Sequence, residues 1–145
     1  MQPVTVRVQR LHEQAKLPKY SHTGNAGDLA ADLFAVEDAE VQPGKVISVG
    51  TGLALELPAE YGAVIEDRSG TALKGLSTLA GIIDTGYRGE IRVVFTNVGA
   101  EPYQIRTGDR IAQLRLVHRL EANFVEVSEI GPSQRSNRGF GSTGT

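Results

Sequence analysis

Residues 79–97 read Leu79-Ala80-Gly81-Ile82-Ile83-Asp84-Thr85-Gly86-Tyr87-Arg88-Gly89-Glu90-Ile91-Arg92-Val93-Val94-Phe95-Thr96-Asn97. An apolar run leads to one carboxylate, Asp84, at a tight turn, and a second run rich in β-branched residues leaves the turn. The pattern predicts a hairpin whose tip carries an acid, an aromatic ring and a cation, namely Asp84, Tyr87 and Arg88. Because two paired strands hold such a tip rigidly, we predict that this hairpin is the functional element of the chain.

Short runs of alternating apolar and polar residues recur on both sides of this stretch. They cover residues 4–8, 30–35, 46–49, 53–57, 61–66, 111–117 and 124–127, with turn signals such as Gln42-Pro43-Gly44-Lys45 between them. Gly50-Thr51-Gly52 predicts a break or a bulge. At least eight short strands without βαβ alternation indicate an all-β sandwich or barrel, with a single helix of one or two turns at about residues 69–76.

The composition excludes several classes of protein. The chain has 145 residues, the size of one domain, and its lack of cysteine excludes disulfides, thiolate catalysis and cysteine-ligated zinc. A net charge of −2 leaves no basic footprint, so we expect no nucleic-acid partner. The first residues lack a signal peptide, and no apolar run approaches the ~20 residues that span a membrane. We therefore expect a cytoplasmic protein without a membrane partner.

The last residues differ in character from the rest, which predicts a folded domain at 1–130 followed by a glycine-rich arm at 131–145. The arm is rich in glycine and hydroxyl residues, and Phe140 is its only aromatic residue. Such a segment cannot bury enough apolar surface to order itself. We interpret it as a mobile arm that closes over an anionic ligand; an inert frayed terminus is the alternative.

Arg68-Ser69-Gly70 is a candidate phosphate site. Ser69 is a favourable N-cap for the short helix predicted next, and free amides beside an arginine and a hydroxyl suit a phosphate group. An ordinary capped turn with a solvated arginine is the alternative.

Two further polar positions stand out in apolar strands. Asp32 lies in a small-residue strand, where a carboxylate needs a hydrogen-bond partner or a cation, so its role is either structural or linked to a metal ion. Gln113, in the segment 108–114, faces away from Ala112, Leu114 and Leu116 and can reach a ligand; a plain turn and strand is the alternative.

Asp84-Thr85-Gly86, preceded by two isoleucines, resembles the active-site triplet of retroviral-type aspartic proteases. Those enzymes pair two aspartates across a dimer. The likeness ends at Tyr87-Arg88, where small residues are expected, and it is a minor alternative.

Taken in order, five segments resemble the motifs of the trimeric dUTP diphosphatase (dUTPase) family, and the resemblance covers nearly the whole chain. The segments are Asp32-Leu33-Phe34-Ala35, Arg68-Ser69-Gly70, residues 81–90, residues 108–114, and Arg135 with residues 139–144. Each is weak alone, but five in the order and approximate spacing of the family make a strong signal.

The resemblance implies a β-barrel or jelly-roll (β-clip) subunit and a homotrimer with active sites shared between subunits. It implies hydrolysis of dUTP to dUMP and pyrophosphate with Mg²⁺. Asp84 would then orient and deprotonate the water that attacks the α-phosphorus. Mg²⁺ would bind the triphosphate oxygens with few or no direct protein ligands, and Asp32 would support it through water.

The resemblance also implies which residues bind the substrate. Tyr87 would pack on the deoxyribose and exclude a 2′-hydroxyl, and Phe140 would stack on uracil. Main-chain groups of Gly81, Ile82 and Ile83 would read uracil. The phosphates would be held by Arg68, Ser69, Gly70 and Gln113, and closed over by Arg135, Gly141, Ser142 and Thr143.

This chain departs from the family pattern at several positions. Asp28 competes with Asp32 for the first motif, and Asp67 stands where proline commonly precedes the arginine of the second. Arg138 competes with Arg135 for the γ-phosphate. The side-chain contact to uracil is not fixed by the pattern, and Thr78 is a candidate.

Two other functions fit the same resemblance. A dCTP deaminase of this fold, bifunctional or not, needs an additional acid/base glutamate near the hairpin, and Glu90 is present there. A regulatory module would bind the nucleotide without turnover, which the intact Asp84 disfavours.

Overall fold

A computed structural model describes residues 1–141 and contains ten β-strands, one short α-helix and one 3₁₀ turn in that range. The strands are β1 (Arg7–Arg10), β2 (Ala31–Phe34), β3 (Ala39–Val41), β4 (Val46–Glu56), β5 (Tyr61–Glu66), β6 (Leu76–Leu79), β7 (Ile82–Ile83), β8 (Glu90–Asn97), β9 (Tyr103–Ile105) and β10 (Arg110–His118). The α-helix, α1, covers Ser69–Ala72, and the 3₁₀ turn covers Gly24–Ala26. Within these residues no helix has the length and apolar character needed to cross a membrane.

Two four-stranded sheets with antiparallel strand pairs form the body of the molecule. One has the strand order β1-β4-β8-β6 and the other β2-β10-β5-β7, and β3 pairs separately with β9. Apolar residues of both sheets meet in one core, among them Leu33, Ile65, Phe95 and Ile111. The alternating pattern of the sequence places these side chains on the inner faces. The predicted all-β fold with one short helix is confirmed.

The Gly50-Thr51-Gly52 segment is a bulge inside a single long strand, β4. The register of β4 against β8 shifts between Gly50 and Ala54, and Gly52 has a φ of 71°. The buried Thr51 hydroxyl donates to the Ile91 carbonyl at 2.6 Å and thereby ties the bulge to β8. The bulge alternative of the sequence prediction is therefore the correct one.

The predicted hairpin within residues 79–97 is wrong in one respect, because its two arms are not paired with each other. β7 pairs with β5 in one sheet, whereas β8 pairs with β4 and β6 in the other. Ala80 and Gly81 have φ values of 61° and 108°, which turn the chain out of β6. Residues 80–89 thus leave one sheet, join the edge of the second and return.

The strand predicted at Phe124–Val127 is not formed in the described chain. After β10 ends at His118, no further strand occurs up to residue 141, and Phe124 is 93% exposed. The alternating pattern is present, but residues 124–127 find no partner strand within residues 1–141. A β pattern needs such a partner to become a strand.

Candidate active site

The turn that follows β7 presents the Asp84 carboxylate to solvent. The Asp84 carbonyl accepts from the Tyr87 amide at 3.1 Å, and the Thr85 hydroxyl donates to the Tyr61 carbonyl at 2.6 Å. Arg88 donates from Nη1 to the Thr85 carbonyl at 2.8 Å. These bonds hold the turn, and none within residues 1–141 reaches the Asp84 carboxylate. The backbone of the turn is therefore well held, Arg88 stabilises it, and the Asp84 carboxylate is exposed.

The Tyr87 ring is folded back over Gly89. Its hydroxyl donates to the Glu90 carbonyl at 2.8 Å, and the side chain is partly covered, with 45% of the residue exposed. A Cβ at residue 89 would lie 2.5 Å from the Tyr87 hydroxyl oxygen. Glycine at this position therefore makes room for the ring, and the ring offers a defined apolar face.

Two clefts open beside Asp84. The larger, of about 640 Å³, lies between β7 and the end of β10 and is called the Asp84 cavity here; its lining includes Gly62, Ile83, Asp84 and His118. The smaller, of about 180 Å³, is lined by Ile82, Ile83, Asp84, Tyr87, Glu90 and Arg92. The sequence did not indicate His118 as a site residue. It lies at the end of β10, far from Asp84 in the chain, so no local spacing of residues connects the two.

β7 is the edge strand of its sheet, which leaves one side of its backbone outside the ladder. Ile82 is 77% exposed, so an apolar side chain faces solvent beside these backbone groups. The Gly81 carbonyl accepts from the Ile65 amide at 2.7 Å, and a Cβ at residue 81 would lie 2.5 Å from the Ile65 oxygen. Gly81 is thus required for the close approach of the segment to β5.

A third cleft, of about 580 Å³, brings four predicted residues together and is called the Arg68 cavity here. Its lining includes Asp32, Arg68, Ser69 and Gln113, which come from β2, the start of α1 and β10. The exposed Gly70 adjoins it on α1 without lining it. Sheet pairing explains the assembly, because Gln113 pairs with Asp32 on one side and with Glu66 on the other.

Ser69 is not the N-cap of α1, contrary to the sequence prediction. Arg68 occupies that position, with extended φ and ψ of −89° and 141°, and its carbonyl accepts from the Ala72 amide at 2.9 Å. The Thr71 hydroxyl donates to the same carbonyl at 3.0 Å. Ser69 is the first helical residue, and its exposed side chain is not used as a cap.

Asp32 is bound by two guanidinium groups. Its Oδ1 accepts from Arg68 Nε at 3.0 Å and its Oδ2 from Arg110 Nε at 2.9 Å, and its side chain is 15% exposed. The structural hydrogen bonds that the sequence offered as one of two roles are present, and both come from arginines. The rival Asp28 accepts from the His22 amide at 2.9 Å and lies 3.1 Å from His22 Nδ1. These contacts lower the pKa of the Asp28 carboxyl.

Asp67 links the Arg68 cavity to β6. Its Oδ1 accepts from the Thr78 amide at 2.6 Å, and its carbonyl accepts from Gln113 Nε2 at 2.7 Å. The negative charge that departs from the family pattern is therefore engaged by a backbone donor. Gln113 is oriented by the same residue.

The described part of the arm does not line these clefts. Arg135 Nε donates to the Arg138 carbonyl at 2.6 Å, and Arg138 Nε donates to the Arg135 carbonyl at 3.1 Å, so the two arginines bind each other's backbone. Phe140 is fully exposed, and Gly141 is exposed beside it. No arm residue up to 141 lines the Arg68 or Asp84 cavity. Ser142 and Thr143 lie outside the described residues.

Possible metal ligands do not gather in a cluster of their own. In the part of the chain that the structure describes, no group of three histidine, aspartate or glutamate residues could hold a metal ion.

Comparison with known proteins assigns the chain to a family. A family model described as dUTPase matches residues 13–144. The chain belongs to the dUTPase family. The deoxyuridine 5′-triphosphate nucleotidohydrolase of Solibacter usitatus is 46% identical over 142 residues, covering 96% of this chain and 95% of the relative. That of Clostridium tetani is 43% identical over 147 residues, covering 99% of both chains.

Solved dUTPase structures share the fold. The Staphylococcus bacteriophage 80alpha dUTPase with dUpNHpp superposes with a TM-score of 0.87 at 26% identity, covering 97% of this chain and 99% of the phage chain. A point mutant of the dUTPase from the Staphylococcus aureus phage phi11 has a TM-score of 0.77 at 26% identity over 86% of this chain and 97% of that one. That mutant structure is described as revealing the coordination of a structural Mg(II) ion. The family resemblance inferred from the five motifs is confirmed.

Within the dUTPase fold, the motifs of one chain occupy two separate places. Asp84 and Tyr87 lie in the segment 80–89 that passes between the two sheets, called the corner here. Asp32, Arg68 and Gln113 line the Arg68 cavity. The Asp84 and Arg68 cavities share no lining residue in this chain.

Proposed function

We propose that this chain hydrolyses dUTP to dUMP and pyrophosphate by attack of water on the α-phosphorus. The observation that carries the proposal is the exposed Asp84 carboxylate, which no group of residues 1–141 binds, held on a turn beside the Tyr87 ring. A carboxylate free of internal partners can hydrogen-bond a water molecule and accept its proton during attack. Membership of the dUTPase family names the substrate.

The Arg68 cavity supplies the phosphate contacts. Arg68 brings a guanidinium, and Ser69 and Gly70 bring a hydroxyl and exposed backbone at the start of α1. These groups stabilise the charge that accumulates on the leaving pyrophosphate. Asp32 orients Arg68 through its Nε, so Nη2, and Nη1 beyond its weak contact with the Arg110 carbonyl at 3.5 Å, can donate to phosphate oxygens. Gln113 binds the phosphates from β10.

Residues at the corner between the sheets bind the nucleoside part of the substrate. The Tyr87 ring, held by the bond from its hydroxyl to the Glu90 carbonyl, packs against deoxyribose and excludes a 2′-hydroxyl from the same face. Backbone groups on the open side of β7, at Ile82 and Ile83, together with Gly81, hydrogen-bond uracil. Because those groups are main chain, their positions depend on the β5–β7 pairing.

Mg²⁺ fits this arrangement as an ion held by the triphosphate oxygens. Both Asp32 oxygens already accept from guanidinium groups, which favours a contact with the cation through water. The bound ion supplies positive charge that neutralises the phosphates. Arg68 and Ser69 hold the same phosphates from the protein side.

We further propose a homotrimer in which each active site combines residues of neighbouring subunits. The proposal is supported by the separation of the Asp84 and Arg68 cavities within one chain. Attack of water on the α-phosphorus requires the carboxylate and the phosphate-binding residues at the same substrate molecule. A run of exposed apolar side chains after β10 also favours burial against another copy: Leu120, Phe124, Val125, Val127 and Ile130. The arm at 131–145 then closes over the site with Arg135, Phe140, Gly141, Ser142 and Thr143.

The deaminase alternative has less support from the geometry. Glu90 would have to act as the acid/base group, but its carboxylate accepts from the Gly52 amide and from Arg92, both at 2.9 Å. A cytoplasmic location and the division of the chain at residue 130 remain predictions from the sequence.

The proposal is tested by measuring pyrophosphate release from dUTP with Mg²⁺, beside ammonia release from dCTP. We expect pyrophosphate from dUTP and no ammonia. Asp84→Asn should lower kcat by orders of magnitude while dUTP still binds, whereas Asp38→Asn, on an exposed loop, should leave kcat unchanged. Binding of dUTP without release of pyrophosphate would instead indicate a regulatory module. A light-scattering mass of a single chain would refute the trimer.

A further inference from the structure

An ion-pair network lies directly beneath the Tyr87 turn. Arg92 donates from Nη1 to Glu90 Oε1 at 2.9 Å and from Nη2 to Glu37 Oε1 at 3.0 Å. It also donates from Nε to the Ser48 hydroxyl at 3.1 Å. Arg92 therefore connects β8 with β4 and with the loop that precedes β3. The pKa of Arg92 is raised, chiefly by the hydrogen bond with Glu90.

The two carboxylates of this network bind the amides of the β4 bulge. Glu37 Oε1 accepts from the Gly50 amide at 3.0 Å, and Glu90 Oε2 accepts from the Gly52 amide at 2.9 Å. The bulge shifts the β4–β8 register, and these carboxylates are the partners its two glycine amides find. A Cβ at residue 50 would lie 2.5 Å from Glu90 Oε2, so glycine there leaves space for the network.

Glu90 connects the ion-pair network with the Tyr87 ring. Its side chain is bound at both oxygens, while its carbonyl accepts the Tyr87 hydroxyl at 2.8 Å. This hydrogen bond and the close approach of the ring to Gly89 hold the ring in its position, so a shift of the Glu90 backbone displaces the acceptor of the Tyr87 hydroxyl. Glu90 and Arg92 also line the small cleft that contains Asp84 and Tyr87.

We propose that Glu90, fixed by Arg92 and by the β4 bulge, is a positioning residue that sets the Tyr87 ring and thereby the preference for a deoxyribose over a ribose. The inference rests on the proposed function, because Tyr87 selects a sugar only if the chain hydrolyses dUTP. It adds that sugar selection depends on the contacts of Glu90 as well as on the Tyr87 ring itself.

The test compares kcat/KM for dUTP with kcat/KM for UTP. A merely structural role lowers the folded fraction and affects both substrates equally, so the ratio of the two constants isolates positioning. We expect Glu90→Ala to lower this ratio about tenfold, the effect of one lost charge-assisted hydrogen bond. Glu90→Gln, which keeps an acceptor oxygen for the Gly52 amide, should retain most of the ratio.

Two controls separate positioning from stability. Glu37→Ala removes the other carboxylate of Arg92 and the acceptor of the Gly50 amide, but it leaves the bonds of Glu90 to Arg92 and to the Gly52 amide, so the ratio should stay unchanged. Glu56→Ala removes an exposed ion pair with Arg7 elsewhere on β4 and should also leave it unchanged. If Glu90→Ala does not fold, Glu90→Asp makes the same test, since its shorter side chain cannot hold both partners.

A double substitution gives the sharpest result. In a Tyr87→Ala background, where the ratio is already lowered, Glu90→Ala should lower it no further. A Glu90→Ala enzyme with the wild-type ratio would overturn this inference and leave dUTP hydrolysis intact. Wild-type protein that releases no pyrophosphate from dUTP would overturn the proposed function itself.

Discussion

Replacing Asp32 with alanine is expected to release Arg68 from its place in the Arg68 cavity. The Asp32 carboxylate binds Arg68 Nε at 3.0 Å and Arg110 Nε at 2.9 Å, with 15% of its side chain exposed. Without the carboxylate, Arg68 keeps one weak contact, from Nη1 to the Arg110 carbonyl at 3.5 Å. The arginine can then leave the position in which it meets phosphate.

The size of the effect follows from the exposure of the partners. A hydrogen bond between charged groups contributes about 1.5–3 kcal/mol to stability, and an exposed ion pair about 0–1 kcal/mol. Arg68 is 31% exposed and Arg110 45%, so we take about 2 kcal/mol for the first bond and about 1 kcal/mol for the second. Asp32→Ala should therefore lower the free energy of unfolding by about 3 kcal/mol, and Arg110→Ala by about 1 kcal/mol.

Urea unfolding and steady-state kinetics check this prediction together. The KM for dUTP should rise about tenfold in Asp32→Ala, because one charge-assisted phosphate contact is weakened. The Mg²⁺ concentration for half-maximal activity should stay the same if Asp32 acts through Arg68, and rise if Asp32 supports the ion through water. Arg110→Ala is the matched control, since it leaves the bond between Asp32 and Arg68. An unchanged KM with wild-type stability would refute the reasoning.

Three other predictions concern the corner, the arm and acid stability. Gly81→Ala should cost about 1–2 kcal/mol in backbone strain. It should also sharply lower kcat, because its Cβ would lie 2.5 Å from a β5 carbonyl oxygen. Gly44→Ala is the control for strain alone, since Gly44 is also at positive φ but an added Cβ there has no neighbour within 4 Å. Removing residues 131–145 should nearly abolish dUTP hydrolysis with little change in Tm, and an active truncation would contradict the role of the arm. Hydrogen bonds from Thr107 lower the pKa of the Asp38 carboxyl, so their stabilisation is present above its usual pKa and lost as pH falls through the lowered one. Asp38→Asn should therefore flatten the acid limb of a plot of Tm against pH.

Local patterns predicted the elements of the fold but not all of their partners. The alternation in residues 61–66 predicts β5 with its observed bounds, and Asp84 lies at the predicted turn. The same kind of alternation at residues 124–127 predicts a strand that the described chain does not form. The difference is physical: alternation reports a face that can be buried, whereas a strand also needs an edge to pair with.

The sequence predicts candidate site residues but not the contacts that they make. Asp32 pairs with Arg68 and Arg110, which lie 36 and 78 positions away, so no local pattern contains these bonds. Ser69 was misplaced as a cap because the backbone torsions of Arg68, not residue preference, decide where α1 begins. No local sequence pattern indicates a role for Arg92, because its contacts depend on a bulge in another strand.

The sequence by itself determined an all-β chain of the dUTPase family with an acid and an aromatic ring at the turn in residues 79–97. Those properties depend on side-chain type and spacing over a few residues, which the sequence states directly. Only the tertiary structure decided that this turn crosses between two sheets and that Asp84 lies in a different cavity from Arg68. The physical reason is that strand pairing and ion pairing join residues far apart in the chain, and their partners are chosen when the sheets pack.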